Sequence, residues 1–167
     1  MIWLTCWLLL AALTANAEIQ QADTKESLRG LDGVYVVVQM VDAQPEGITT
    51  NSLMKLVTAA LAEAGIPTNA VPKKFNGDAN LTIVVDTLKD TQLDIYEFRI
   101  EISVAQDVTM TRDTHSKWIF AETWRRTLQG LTSPDRTDII EQAVKKCVDI
   151  FVADYRAVNP KLPAKTA

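Results

Sequence analysis

The residues best suited to recognition chemistry lie in one run of this 167-residue chain, Trp118-Ile119-Phe120-Ala121-Glu122-Thr123-Trp124-Arg125-Arg126. Strand alternation would put Trp118, Phe120, Glu122, Trp124 and Arg126 on one face, with Ile119, Ala121, Thr123 and Arg125 on the other. An aromatic face that also carries an acid and a cation is neither a clean core nor a clean surface. Trp and Arg are enriched at protein interface hot spots, so Trp118, Trp124, Arg125 and Arg126 are the candidate partner-binding residues. The competing reading packs the aromatics under a helix and leaves Glu122 and Arg126 at the sheet margin.

Other chemistry-bearing residues do not converge. His115 is the single histidine and sits in the charged turn Arg112-Asp113-Thr114-His115-Ser116-Lys117, without the second ligand or nucleophile that a metal site or triad requires. Asn76-Gly77-Asp78-Ala79-Asn80 offers oxygen ligands but lacks the length and closing glutamate of a calcium loop, so it reads as a turn. Glu97, Arg99 and Glu101 alternate with the cation between the acids, the pattern of a solvated sheet face with no apolar pocket to raise a carboxyl pKa. No glycine-rich phosphate loop is present. No catalytic, cofactor-binding or metal-binding residue is assigned, and the chain is not read as an enzyme. Of the two cysteines, Cys6 lies in the amino-terminal apolar run. Cys147 falls on a helical apolar stripe and is expected to be a buried, inert thiol.

The elements that must position these residues follow from periodicity. Gly33 to Val41 is dense in β-branched residues and nearly continuous in hydrophobicity, which predicts a strand covered on both faces. Thr49 or Thr50 can cap a helix whose Leu53, Leu56, Val57, Ala60, Leu61 and Ala64 recur at helical spacing, and Gly65 and Pro67 end it. Between Ile66 and Ala79 the chain allows only a short strand. Asn80 to Leu88 is a second strand, Lys89 to Gln92 a hairpin break, and Tyr96, Phe98, Ile100, Ile102 and Val104 alternate with polar residues in a third. Trp118 to Leu128 returns as another. Ser133-Pro134-Asp135 starts a last helix running to about Val158, with Ile140, Val144, Cys147, Val148, Phe151 and Tyr155 on one stripe. The expected fold is α+β, a two-layer sandwich of a mostly antiparallel sheet with two helices on one face, in the order β-α-(β)-β-β-β-α.

The ends have their own logic. Residues 1–17 carry no charge, are apolar from Ile2 to Leu13 apart from Thr5, and finish on Ala15-Asn16-Ala17. This is the core and small-x-small ending of a signal peptide, shorter than the ~20 residues of a membrane span. Cleavage after Ala17 gives a periplasmic or secreted chain; the missing basic residue before the apolar run leaves open a retained interfacial anchor. Residues 18–27 are expected to be a flexible leader, 28–160 a single domain and 161–167 a disordered tail. The net charge of −4 with no basic stripe argues against nucleic acid as a partner.

Gly33-Val34-x-Val36, Gly47-Ile48-Thr49, Ala64-Gly65-Ile66, Glu101-x-Ser103-Val104-x-Gln106-x-Val108-x-x-x-Arg112 and the ending Val148-Asp149-x-Phe151-x-x-Asp154-Tyr155-x-x-Val158-Asn159-Pro160 resemble an uncharacterised family of bacterial secreted proteins. The element order is similar to envelope α/β modules such as the curli secretion protein CsgG and the amino-terminal domain of TolB. The resemblance implies a bacterial exported protein and transfers no catalytic residue. Two function classes stay open. One is a binding or assembly module working through protein contacts, for which a flat aromatic or strand-edge surface would speak. The other is a small-ligand binder or enzyme with an unrecognised site, for which a cleft of converging polar groups would speak.

Overall fold

A computed structural model describes residues 24–42, 45–69, 79–109 and 119–160. In chain order these form β1 (Val34–Asp42), α1 (Thr50–Glu63), β2 (Thr68–Asn69), β3 (Asn80–Asp90), β4 (Ile95–Val108), β5 (Ile119–Thr132), a 3-10 turn (Pro134–Arg136) and α2 (Asp138–Val158). The sheet order is β2-β1-β3-β4-β5. β1 runs parallel to β2 and β3, and the longer β3–β4 and β4–β5 ladders are antiparallel. The α+β sandwich anticipated from periodicity is therefore the fold.

Local signals set the helix ends. Thr49 Oγ1 accepts from the Ser52 amide at 3.0 Å while Ser52 Oγ accepts from the Thr49 amide at 3.1 Å, a reciprocal box that satisfies two otherwise orphaned donors at the start of α1. Gly65 ends the helix in the left-handed region, at φ 75°. The second helix differs from expectation at its start. Ser133 and Pro134 begin a 3-10 turn, held by Thr132 Oγ1 donating to the Arg136 carbonyl at 2.7 Å, and the α-helix begins at Asp138. Its stripe of Ile140, Val144, Cys147, Val148, Phe151 and Tyr155 is fully buried as read.

Both helices pack on one face of the sheet. That face carries Val34, Val36 and Val38 from β1, Leu81, Ile83 and Val85 from β3, and Phe98, Ile100, Ile102 and Val104 from β4, all buried. The other face, with Val37 half-buried and Val41 exposed, has no second layer among the described residues. Double-sided burial of β1 is thus corrected. Its run of valines reflects the fit of β-branched side chains to a pleated surface rather than cover on both sides.

The leader also differs. Residues 24–27 make a helical turn and its exit rather than a flexible approach, and Leu28 and Leu31 enter the core. Asn159, just past α2, clasps this segment: its Nδ2 donates to the Leu28 and Tyr155 carbonyls at 2.8 and 3.0 Å, and its Oδ1 accepts from the Gly30 amide at 2.7 Å. The Tyr155 hydroxyl donates to the Leu31 carbonyl. The signal segment 1–17, residues 18–23 of the expected leader and the tail 161–167 lie outside the described residues.

Candidate functional site

The candidate patch is taken apart by one irregularity. β4 and β5 pair residue for residue from Tyr96 with Thr132 to Val104 with Trp124, but Ala105 then pairs with Glu122, leaving Thr123 as an extra residue in a β-bulge. Side-chain parity inverts across a bulge, so Glu122 and Phe120 fall on the open face of the sheet, opposite Trp124. Glu122 there meets Arg125, whose Nη2 donates to Glu122 Oε2 at 2.8 Å; Glu101 lies 3.6 Å from Arg125 Nε. The guanidinium of Arg125 is held protonated more firmly by the hydrogen bond and charge of Glu122, with Glu101 adding to it.

Trp124 turns inward. It is 1% exposed, stands edge-to-face on Phe151 with centroids 5.4 Å apart, and its Nε1 donates to Asp154 Oδ2 at 3.0 Å. The same carboxylate oxygen accepts from Arg126 Nη2 at 2.8 Å, and Lys25 Nζ lies 3.0 Å from Oδ1. Arg126 also lies over the Trp124 ring, 5.0 Å from its centroid. Asp154, 4% exposed, is thereby a buried acid met by two cations and an indole N–H. The bulge is completed from the amino-terminal segment. Ser27 Oγ lies 2.7 Å from the Thr24 carbonyl and 3.0 Å from the Thr123 carbonyl, sharing its one hydrogen between them, and Gln106 Nε2 donates to the Ser27 carbonyl and to Thr123 Oγ1, each at 2.8 Å.

Of the four candidate residues, Trp124 is core and Arg126 supports the Asp154 cluster; neither is a surface anchor. Arg125 is exposed, and Trp118 lies outside the described residues, as does His115. The solvated reading of Glu97, Arg99 and Glu101 holds, with Arg99 Nη2 2.8 Å from Glu101 Oε2 on the open face. Cys147 is buried, and desolvation pushes its thiol up to about 11. Among the described residues no group of three or more His, Cys, Asp and Glu could hold a metal ion.

Two surfaces remain. One is a groove of about 490 Å³ where Arg29, Asp32, Pro67, Tyr155 and Asn159 meet. Three of its polar side chains are engaged internally, in the Asn159 clasp, the Tyr155 bond to Leu31 and the pairing of Arg29 with Glu26 at 2.8 Å, while Asp32 is exposed. The other is the outer edge of β5. This strand is 14 residues long and lies at the end of the sheet, so its outward backbone groups pair with no strand among the described residues. Leu131, at its far end, is 63% exposed. Periodicity ended β5 at Leu128; it continues because Gly130 lies opposite Phe98, whose ring fills the space of the missing side chain.

No family model and no curated protein matches the chain. Among solved structures, a minor lipoprotein from Acinetobacter baumannii is similar over 75% of this chain and 92% of its own, at 9% sequence identity and a TM-score of 0.38.

Proposed function

We propose that this chain is an exported module of the bacterial envelope that acts by binding protein along the free edge of β5, rather than by catalysis. The observation that carries the reading is the edge itself, a long strand at the end of the sheet whose second half, Thr127 to Thr132, meets no further strand among the described residues. Such an edge takes up an extended segment by continuing the ladder: backbone bonds supply affinity, and alternate side chains supply selectivity. The apolar segment ending in Ala15-Asn16-Ala17 supports export. The groove at Tyr155 and Asn159 favours small-ligand binding less, because Asn159, Tyr155 and Arg29 already have partners within the chain, which leaves the exposed Asp32 rather than a converging set of polar groups.

A photo-crosslinking amino acid placed at Thr127 or Gln129 in the full chain, in cells, tests the proposal. Both residues are exposed on β5. The expected result is a discrete protein adduct from these positions and none from Lys145, exposed on α2. Absence of adducts, or equal adducts from Lys145, refutes it.

A further inference from the structure

The outer edge of β5 is unevenly guarded. Its first half holds the bulge at Thr123, the docked Ser27 and the charges of Glu122, Arg125 and Arg126, all devices that discourage a second strand from pairing. The second half, Thr127-Leu128-Gln129-Gly130-Leu131-Thr132, contains no charge and no proline. It keeps unbroken register with β4. On the open face Leu131 stands beside Glu97, and Leu88, 62% exposed, stands on the other side of that acid. A regular, neutral, partly apolar edge is the kind that pairs.

We infer that the occupant of this half-edge is a second copy of the chain, joined by antiparallel β5–β5 pairing about a two-fold axis through Gln129. The inference rests on the reading of β5 as a docking edge and names its partner. A two-fold axis that continues the sheet sets open-face residues against open-face residues, so it must pass through a residue position. Centred on Gln129, the axis sets Thr127 opposite Leu131 of the second copy, Leu128 opposite Gly130, and Gln129 opposite itself. The threonine methyl then covers the exposed leucine, and two amides able both to donate and to accept meet at the axis.

Charge is compatible with this register. With the axis at Gln129, Arg126 comes opposite Thr132 and Arg125 opposite Ser133, next to the exposed Asp135 in the following turn. No cation meets a cation. Moving the axis to Leu128 sets Arg125 against Leu131 and Arg126 against Gly130, which brings cations onto the apolar part of the edge. The bulge and the docked Ser27 lie beyond the paired segment, and they limit the ladder to the neutral half.

The test uses the purified mature protein and three single variants at exposed positions, Gln129→Cys, Thr127→Cys and Gln129→Lys; Cys147 is buried and does not compete. Sedimentation of the unaltered protein is expected to give the mass of two chains. On oxidation Gln129→Cys is expected to form a covalent dimer and Thr127→Cys not to, since only the axial residue faces itself. Gln129→Lys sets like charges face to face and is expected to weaken dimerisation severalfold while the chain keeps its folded circular-dichroism spectrum.

A monomer at every soluble concentration overturns the inference, as does a Thr127→Cys variant that cross-links as readily as Gln129→Cys. A dimer whose dissociation constant is unchanged by Gln129→Lys overturns it too. A monomer that still yields adducts with a different protein from Thr127 and Gln129 in cells removes the second copy but leaves β5 a docking edge. A monomer without such adducts removes both.

Discussion

Replacing Trp124 by alanine separates a core role from an interface role. The side chain is 1% exposed, packs edge-to-face on Phe151, and donates to Asp154. Truncating a buried aromatic of this size costs about 3–5 kcal/mol, and the ring pair with Phe151 places this site at about 4 kcal/mol or more. For a domain of this length roughly 3–4 °C is lost per kcal/mol, so the melting temperature should fall by roughly 12–16 °C. Trp124→Phe divides the effect. It keeps a ring against Phe151 and loses the N–H bond to a charged acceptor, a cost of about 1.5–3 kcal/mol. Thermal melts followed by circular dichroism measure both variants. Crosslinking from Gln129, done well below the lowered melting point, should be retained in each. A Trp124→Ala protein that melts within about 2 °C of the parent while losing its adducts would refute the burial argument.

Cys147→Ser should cost about 1–3 kcal/mol in urea unfolding, because a hydroxyl enters a site built for a small hydrophobe, and the native thiol should resist water-soluble alkylating reagents until the chain unfolds. The raised Cys147 pKa means that the native state keeps its proton to higher pH than the unfolded chain. Its contribution is full below the ordinary value of 9.0 and is lost as pH rises toward about 11, so a Cys147→Ala variant should show a shallower decline in urea midpoint across that window. Gly130→Ala should destabilise by about 1–3 kcal/mol, since the new Cβ would lie 2.5 Å from Phe98 Cζ; an unchanged melt would show that the ring moves aside at little cost. Asp154→Ala strips Arg126 of its carboxylate in a largely buried setting and should cost about 3–5 kcal/mol. Lys25→Ala, at a side chain one-third exposed, should cost at most about 1 kcal/mol, and equal losses for the two would contradict the ranking.

What sequence showed and what it hid divide along the range of the forces involved. The box at Thr49, the stop at Gly65, the stripe on α2 and the alternation from Tyr96 to Val104 depend on neighbours a few residues apart, so local pattern reads them. The Thr123 bulge does not announce itself locally. It carries no glycine, and the side chain that satisfies its carbonyl belongs to Ser27, 96 residues away. That one extra residue moved Glu122 and Phe120 off the face assigned to Trp124. Asp154 carries no local signal of its burial, because its partners, Trp124, Arg126 and Lys25, come from a strand and from a segment read as leader. The neutral edge from Thr127 to Thr132 was visible as residues, but its openness is a property of sheet order, which is fixed only when the whole chain is folded.

The Asn159 clasp decides how the domain is presented. By tying Leu28 and Gly30 to the end of α2, it holds Leu28 and Asn159 side by side, near the pole of the sheet where β1 and β3 begin. The 91–94 turn and the end of β5 at Thr132 lie at the opposite pole, because Asp90 pairs with Ile95 and Tyr96 with Thr132. The same geometry makes the domain a good candidate for circular permutation: a short linker joining the flank of Leu28 to that of Asn159, with new ends opened in the exposed 91–94 turn, should preserve the fold while moving the chain ends to the pole where the neutral half of β5 finishes.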